Sequence, residues 1–255
     1  MKRTKPIFLL PLLLVMGLYA LESRAEMPAV DPSAVEILKK MTDYLGGVKQ
    51  FSVHTQNTLE DLSVSGDRID IDVSAQVIVR RPNKIRSERK GDLVNQIFYY
   101  DGKVLTLFNP ASNVYSTVAA PDNFYGLFQY LYESLGIGLP ISDLVLSNSF
   151  ELLMQDVTLA QVVSKTYIDG VQCDHLLFSR PGVNFQIWVA DGAKPLPQKY
   201  VVTDTGTPAK MSITAVMSDW NVDPAVADTR FTFDPPQGAR QITFMPLETT
   251  SGSDR

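Results

Sequence analysis

Residues 68–79, "RIDIDVSAQVIV", alternate between apolar and polar from Ile69 to Val77. Ile69, Ile71, Val73, Ala75, Val77 and Val79 fall on one side of an extended chain, and Asp70, Asp72, Ser74 and Gln76 on the other. A period of two over this length predicts a long β-strand with one dry face and one wet face. Such a strand belongs to a sheet covered on one side only, so the neighbouring segments must supply both partner strands and the cover.

Upstream, the change to a period of two begins at Phe51. Before it, Asp31-Pro32 followed by Ala34, Ile37, Leu38, Met41 and Leu45 gives an N-cap, a proline at the first helical turn and one apolar face. Gly46-Gly47 supplies a stop. Downstream, "KIRSERK", "LVNQIFYY", "KVLTLFN" and "VYSTVA" follow at short intervals, with Asp101-Gly102 as a hairpin signal. The connections are too short for parallel crossovers, which predicts an antiparallel meander. After residue 154 the strands resume with "SKTYIDG", "VQCDHLLFSR", "NFQIWVAD", "LPQKYVVTD", "AKMSITAVMSDW" and a final short "RFTF"; Asp169-Gly170 is a second hairpin signal. Between the two runs lies an apolar insert, with a helix expected over 122–135 and another from about Ser142. Phe124, Tyr125, Phe128, Leu131, Tyr132 and Leu135 leave this helix little polar face, so it must be covered on most sides. It either plugs the core or roofs a pocket, and the pattern alone favours the plug.

The fold class is therefore α+β: one large curved antiparallel sheet capped by helices. The organisation expected is a leader at 1–25, one domain over 26–247 and a loose tail at 248–255. Lys2, Arg3 and Lys5, an apolar run from Ile7 to Leu21, and Ser23-Arg24-Ala25 have the layout of a cleaved export signal, with an uncleaved anchor as the alternative. The chain carries 23 basic and 28 acidic residues. The leader takes Lys2, Arg3, Lys5 and Arg24 against Glu22 alone, so the remainder is more acidic still. That balance argues against nucleic acid as a partner. One cysteine permits no internal disulfide.

Catalytic and metal patterns are few. "SERK" (87–90) has S-x-x-K spacing but reads as strand, whereas the chemistry needs serine at a helix start. Asp70 and Asp72 share the wet face, roughly 7 Å apart, and read as solvated. Cys173 and His175 in "VQCDHLLF" share a strand face at a similar separation, too far for direct proton transfer and too few ligands for zinc. No catalytic residue, cofactor or metal is expected. The run "RRPNKIRSERK" concentrates Arg80, Arg81, Lys84, Arg86, Arg89 and Lys90. It reads either as a contact for a lipid head group or acidic partner through Arg80, Arg81, Lys84 and Arg86, or as charged ends of a hairpin turning at Pro82-Asn83.

"VRRPNKIRSE" with "IFYYDGKVLTLFNPASNVYSTV" resembles the exported lipoprotein carriers of the LolA/LolB type. "DGVQCDHLLFSRPGVNFQIWVADGAKPLPQKYVVT" with "DW…FTFDPPQGA" is similar to the DUF2092 family of periplasmic proteins. The resemblance runs from about residue 31 to 245 and implies an unclosed, LolA-like β-barrel with helices over its open side and an apolar cavity within. It makes the insert a lid. The expectation is an exported, non-catalytic carrier or binding protein of the periplasm, holding a lipid or lipoprotein acyl chain. Phe124, Phe128, Leu131 and Leu135 of the lid, Ile71, Val73, Ala75 and Val77 of the sheet, and Trp188 would line the cavity. The alternative is an envelope scaffold with a self-filled cavity and a protein partner on its surface. No cysteine stands where a lipidated acceptor would need one.

Overall fold

The computed structural model describes residues 29–244; the leader and the tail lie outside the described residues. The quoted stretch forms strand β2 (Arg68–Arg80) and pairs along its whole length with β1 (Gln50–Leu62), from Gln50 opposite Arg80 to Leu62 opposite Arg68. Val73, Ala75, Val77 and Val79 are buried as the alternation requires, but Ile69 is exposed and Ile71 half-buried. The hairpin extends past its cover at that end.

From β2 the chain meanders through β3 (Lys84–Gly91), β4 (Asn95–Tyr100), β5 (Val104–Asn109) and β6 (Val114–Ala119). After the helical insert come β7 (Leu159–Ile168), β8 (Val171–Arg180), β9 (Val183–Ala190), β10 (Pro197–Asp204) and β11 (Ser212–Asn221). The two runs join where β11 pairs with β1. A short β12 (Arg240–Gln241) adds in parallel to β6. The result is a sheet of 12 strands, ordered β12-β6-β5-β4-β3-β2-β1-β11-β10-β9-β8-β7, whose ends do not pair with each other. Its edges are partly covered. Beside β12 on β6, the segment before the first helix bonds to β7 through Asp31 N–H to Ala160 O and Ala160 N–H to Ala29 O, which limits edge-to-edge association.

The two hairpin signals fold differently. Asp169 and Gly170 both take positive φ, 47° and 81°, as a two-residue turn requires. At the other, only Gly102 is positive, and the Asp101 carboxylate accepts from Lys103 N–H and Val104 N–H to close a wider loop. "RFTF" is not a strand. It follows a 3₁₀ turn (Asp228–Arg230) and offers its two rings as anchors: Phe231 is fully buried, and the Phe233 ring lies 5.0–5.4 Å from those of Tyr99, Phe108 and Tyr115. Alternating aromatics look the same in a strand and in a strap tied across a sheet.

Helix α1 (Pro32–Gly47) begins as expected, with Asp31 accepting from Ser33 N–H at 2.8 Å, and buries Ala34, Leu38, Met41 and Leu45 against the concave face. The insert becomes α2 (Phe124–Leu135) and two short helices, α3 (Ser142–Val145) and α4 (Ser149–Met154). Arg81, in the β2–β3 turn, ties these parts together. Its guanidinium donates to Val48 O and Leu45 O at the end of α1 and to Val145 O at the end of α3. Helix ends leave such carbonyls without partners, and a cation there also suits the helix dipole. Burial lowers the Arg81 pKa, and these carbonyls offset that cost.

Arg81→Ala is expected to lower stability by about 2–3 kcal/mol, because charge-assisted bonds are lost and buried carbonyls orphaned. Lys84→Ala, which removes an exposed pair with Asp228, should cost less than about 1 kcal/mol. Urea unfolding would check both through a shifted midpoint at unchanged slope.

Candidate functional site

Helix α2 is fixed at both ends. Asn123 caps it by accepting from Gly126 N–H at 2.8 Å, and Gly136, left-handed at φ 65°, ends it with Ile137 N–H bonded to Leu131 O. Phe124, Leu127 and Leu131 face the sheet and are buried, while Tyr125 and Tyr132 are 59% and 72% exposed. The helix is thus covered on one side only, as a lid is, and its two tyrosines face water.

Beyond α2 the chain from Gly138 to Ser142 runs across the concave face with a cavity on each side. The first, of about 50 Å³, lies over β1–β4. Val73, Ala75, Val77, Ile85 and Phe98 form its floor, and Phe128, Leu139, Pro140, Ile141 and Val145 its roof. One end is polar, with Thr55, Asn57, Ser87 and Arg89. The second, of about 230 Å³, lies between Leu131, Tyr132 and Ile137 of the lid and Val202 and Ile213 of β10 and β11. Phe128 and residues 138–140 and 142 border both.

Of the residues expected at the cavity, Val73, Ala75, Val77 and Phe128 line the first space and Leu131 the second. Phe124 lies behind Phe128, their rings parallel at 5.8 Å. Leu135 borders a separate hollow with Val118 and Tyr130. Ile71 continues the β2 face beyond the lining. Trp188 lies away from both cavities: Phe185, Ile187 and Val189 take the inward positions of β9, so the ring between Ile187 and Val189 points out. There it stacks on His175 at 4.1 Å, with the Lys199 ammonium 4.8 Å from its centre.

The basic run does not form one patch. Arg80 and Lys84 pair with Asp228, Arg81 is spent on helix ends, and Arg86 is buried between Glu88 and the Tyr99 ring. Only Arg89, in phase with Ile85 and Ser87, enters the cavity wall. Asn57 does not stand out in the sequence, and Arg89 stands out only as a member of the basic run. The available signal is the strand phase itself: Phe51, Val53, Thr55 and Asn57 share one face of β1, as Ile85, Ser87 and Arg89 share one of β3.

The nucleophile candidates are poorly placed. Cys173 is fully buried, its thiol donates to Val171 O at 3.3 Å, and burial raises its pKa. His175 bonds Gln186 at 2.9 Å through Nε2, and burial lowers its pKa. The hydrogen bonds of thiol and imidazole therefore go to other groups. Ser87 and Lys90 lie on opposite faces of β3, and Asp72 accepts from Thr58 on the wet face. Among the described residues, no cluster of three or more His, Cys, Asp or Glu could hold a metal, and no helix is long and apolar enough to cross a membrane.

A polar contact joins the insert to the sheet at the wall of the second cavity, which Asp143 lines. Tyr200 on β10 donates to Asp143 of α3 at 3.3 Å. Burial raises the Asp143 pKa, opposed by the nearby Arg180 charge and by the tyrosine bond.

Among solved structures, the chain is similar to LprF from Mycobacterium bovis (13% identity, 78% of this chain and 98% of that one, TM-score 0.49). It is also similar to an uncharacterized conserved protein from Thermus thermophilus (12%, 83% and 99%, 0.48) and to LolA superfamily protein NE2245 from Nitrosomonas europaea (14%, 78% and 97%, 0.40). No protein with a curated description matches. A family model described as "Predicted periplasmic protein (DUF2092)" matches residues 34–245, and the chain belongs to that family.

Proposed function

We propose that this is a periplasmic, non-catalytic carrier or binding protein for an apolar ligand, held between the concave sheet and the α2–α3 lid. The observation that carries the reading is the pair of cavities under one lid segment, walled by Val73, Ala75, Val77, Phe128 and Leu131. The likeness of the sequence to lipoprotein carriers points the same way. Ligand sites are concave and mostly apolar, with volumes of about 300–1,000 Å³. The two spaces together fall just short of that range, so uptake requires residues 138–142 and Phe128 to lift and merge them. A lipid chain then gains about 0.8 kcal/mol per CH₂ buried.

The small first cavity also favours a second reading, a scaffold whose interior is filled by its own side chains. The two separate on ligand content. A carrier purified from its native compartment should show bound lipid by native mass spectrometry and should take up a fluorescent fatty acid. A protein that does neither is the scaffold. Val77→Phe fills the first cavity and should weaken fatty-acid uptake about tenfold or more. Melting temperature should hold or rise, since cavity filling commonly stabilises by about 0.5–2 kcal/mol.

The lid contact has a pH signature. Asp143 carries a raised pKa in the folded chain, so the folded state binds its proton more tightly than the unfolded state does. That contribution to stability is full below the ordinary carboxylate range and is lost as pH rises through the raised value. Asp143→Asn should remove this component. The difference in melting temperature between variant and parent, followed from pH 4 to 8 or so, should change in favour of the variant as pH rises; a flat difference would show that the carboxylate is not held in this environment.

A further inference from the structure

The polar end of the first cavity is built in a way that an apolar ligand alone does not use. Asn57 is 4% exposed, and its amide orientation is fixed: Nδ2 donates to Val73 O at 3.0 Å and to Thr55 Oγ1 at 2.9 Å. A flipped amide would set oxygen against the Val73 carbonyl. Oδ1 is therefore the free atom, and it has no hydrogen-bond partner among the described residues. Buried acceptors left unmade are few in native proteins and each calls for an explanation.

Arg89 supplies the second observation. Register places it opposite Ala75, which is in turn opposite Thr55, so Arg89 stands two strands from Thr55, about 10 Å between backbones. An arginine side chain spans much of that distance. Unlike Arg80, Arg81 and Arg86, it has no ion-pair or hydrogen-bond partner among the described residues, and burial alone lowers its pKa. It lines both the cavity and a hollow outside it with Glu88, Lys90, Asn95 and Gln96, where Glu88 is paired with Arg86, and this places it at the mouth. Deeper along the same floor come Val77, Ile85 and Phe98. A charge at the mouth, an acceptor on the wall of the same cavity and an apolar floor describe a ligand with a head and a tail.

We propose that the cavity selects an anionic amphiphile: an acyl chain whose acidic head carries an N–H or O–H donor within a few bonds of the acid. Arg89 takes the acid, Asn57 Oδ1 accepts from the donor, and the chain lies along Val77, Ile85 and Phe98. N-acyl amino acids and β-hydroxy acids share this chemistry. The assignment rests on the carrier reading and adds the class of ligand to it.

The test is displacement of a fluorescent fatty acid from the purified protein by five ligands of one chain length. These are N-hexadecanoylglycine, its methyl ester, β-hydroxyhexadecanoate, hexadecanoate and hexadecanol. The two acids with a donor should bind about tenfold more tightly than hexadecanoate, and the ester about tenfold to a hundredfold more weakly than its acid. Which of the two acids binds better identifies the amide or the hydroxyl as the donor recognised. Arg89→Gln should bring acid and ester to one affinity without affecting hexadecanol. The ligand series in the parent protein decides the matter even where a variant is unstable. Equal binding of acid, ester and alcohol would overturn the head-group assignment and leave the carrier reading intact. Equal binding of hexadecanoate and the two donor acids would remove the role of Asn57. Binding of none of the five, the fluorescent probe included, would overturn the carrier reading and this assignment together.

Discussion

An open sheet with one apolar face has to keep that face from water, and the rest of the structure answers to this constraint. Closure would hide it, but β7 and β12 end the sheet without meeting. Cover must then come from helices: α1 takes the β7–β9 side, and the insert takes the middle and the β1–β4 side. Both covers pack into one continuous core: the α1 stripe of Ala34, Leu38, Met41 and Leu45, and Phe124, Leu127, Leu131 and Leu144 of the insert. What sets the insert apart is the space beside its loop at 138–140. Interiors are normally packed to crystal-like density, so the two hollows beside this segment are what the proposed roof rests on.

Periodicity made much of this legible. The 3.6-residue spacing with Asp31-Pro32 at its head placed α1, and the alternation from Ile69 to Val77 placed β2 and its dry face. Short links placed the meander. Periodicity reports which face a residue shares with its neighbours, but it does not report what lies over that face. Ile69 and Ile71 have the phase of Val73 yet pass beyond the lid. The strap at Phe231 and Phe233 has the phase of a strand but no open partner edge to join. Trp188 stands out by its type, and its phase, opposite to Phe185 and Ile187, carries it to the outer face.

The basic run shows the same lesson in electrostatics. In one dimension Arg80, Arg81, Lys84, Arg86 and Arg89 form a cluster of positive charge. In the fold, strand alternation and one turn send them to separate destinations: a surface pair with Asp228, the ends of two helices, the Tyr99 ring and the cavity wall. Four of the five have partners that account for them. Burial of an arginine is costly without such partners, so the interest of a charge cluster lies in the member left over. Here that member lines the same cavity as an asparagine whose Oδ1 has no partner among the described residues.

A wholly apolar lining would store more stability. Unpaired polar atoms in a cavity weaken the closed, empty form, because they are cut off from water without gaining a partner. A lid over such a site is held less firmly than one over hydrocarbon alone, and a ligand that satisfies those atoms acts on the closed form selectively. A ligand shifts a conformational equilibrium only by its difference in affinity for the two states. An acyl tail supplies affinity through buried area, and area is gained wherever the chain leaves water, including in partly open forms. The head-group bonds proposed for Arg89 and Asn57 would instead depend on the geometry of the cavity that Phe128, Leu139 and Pro140 cover. On the proposed reading, the tail would set how tightly a ligand is held, and the head would set whether the lid shuts over it.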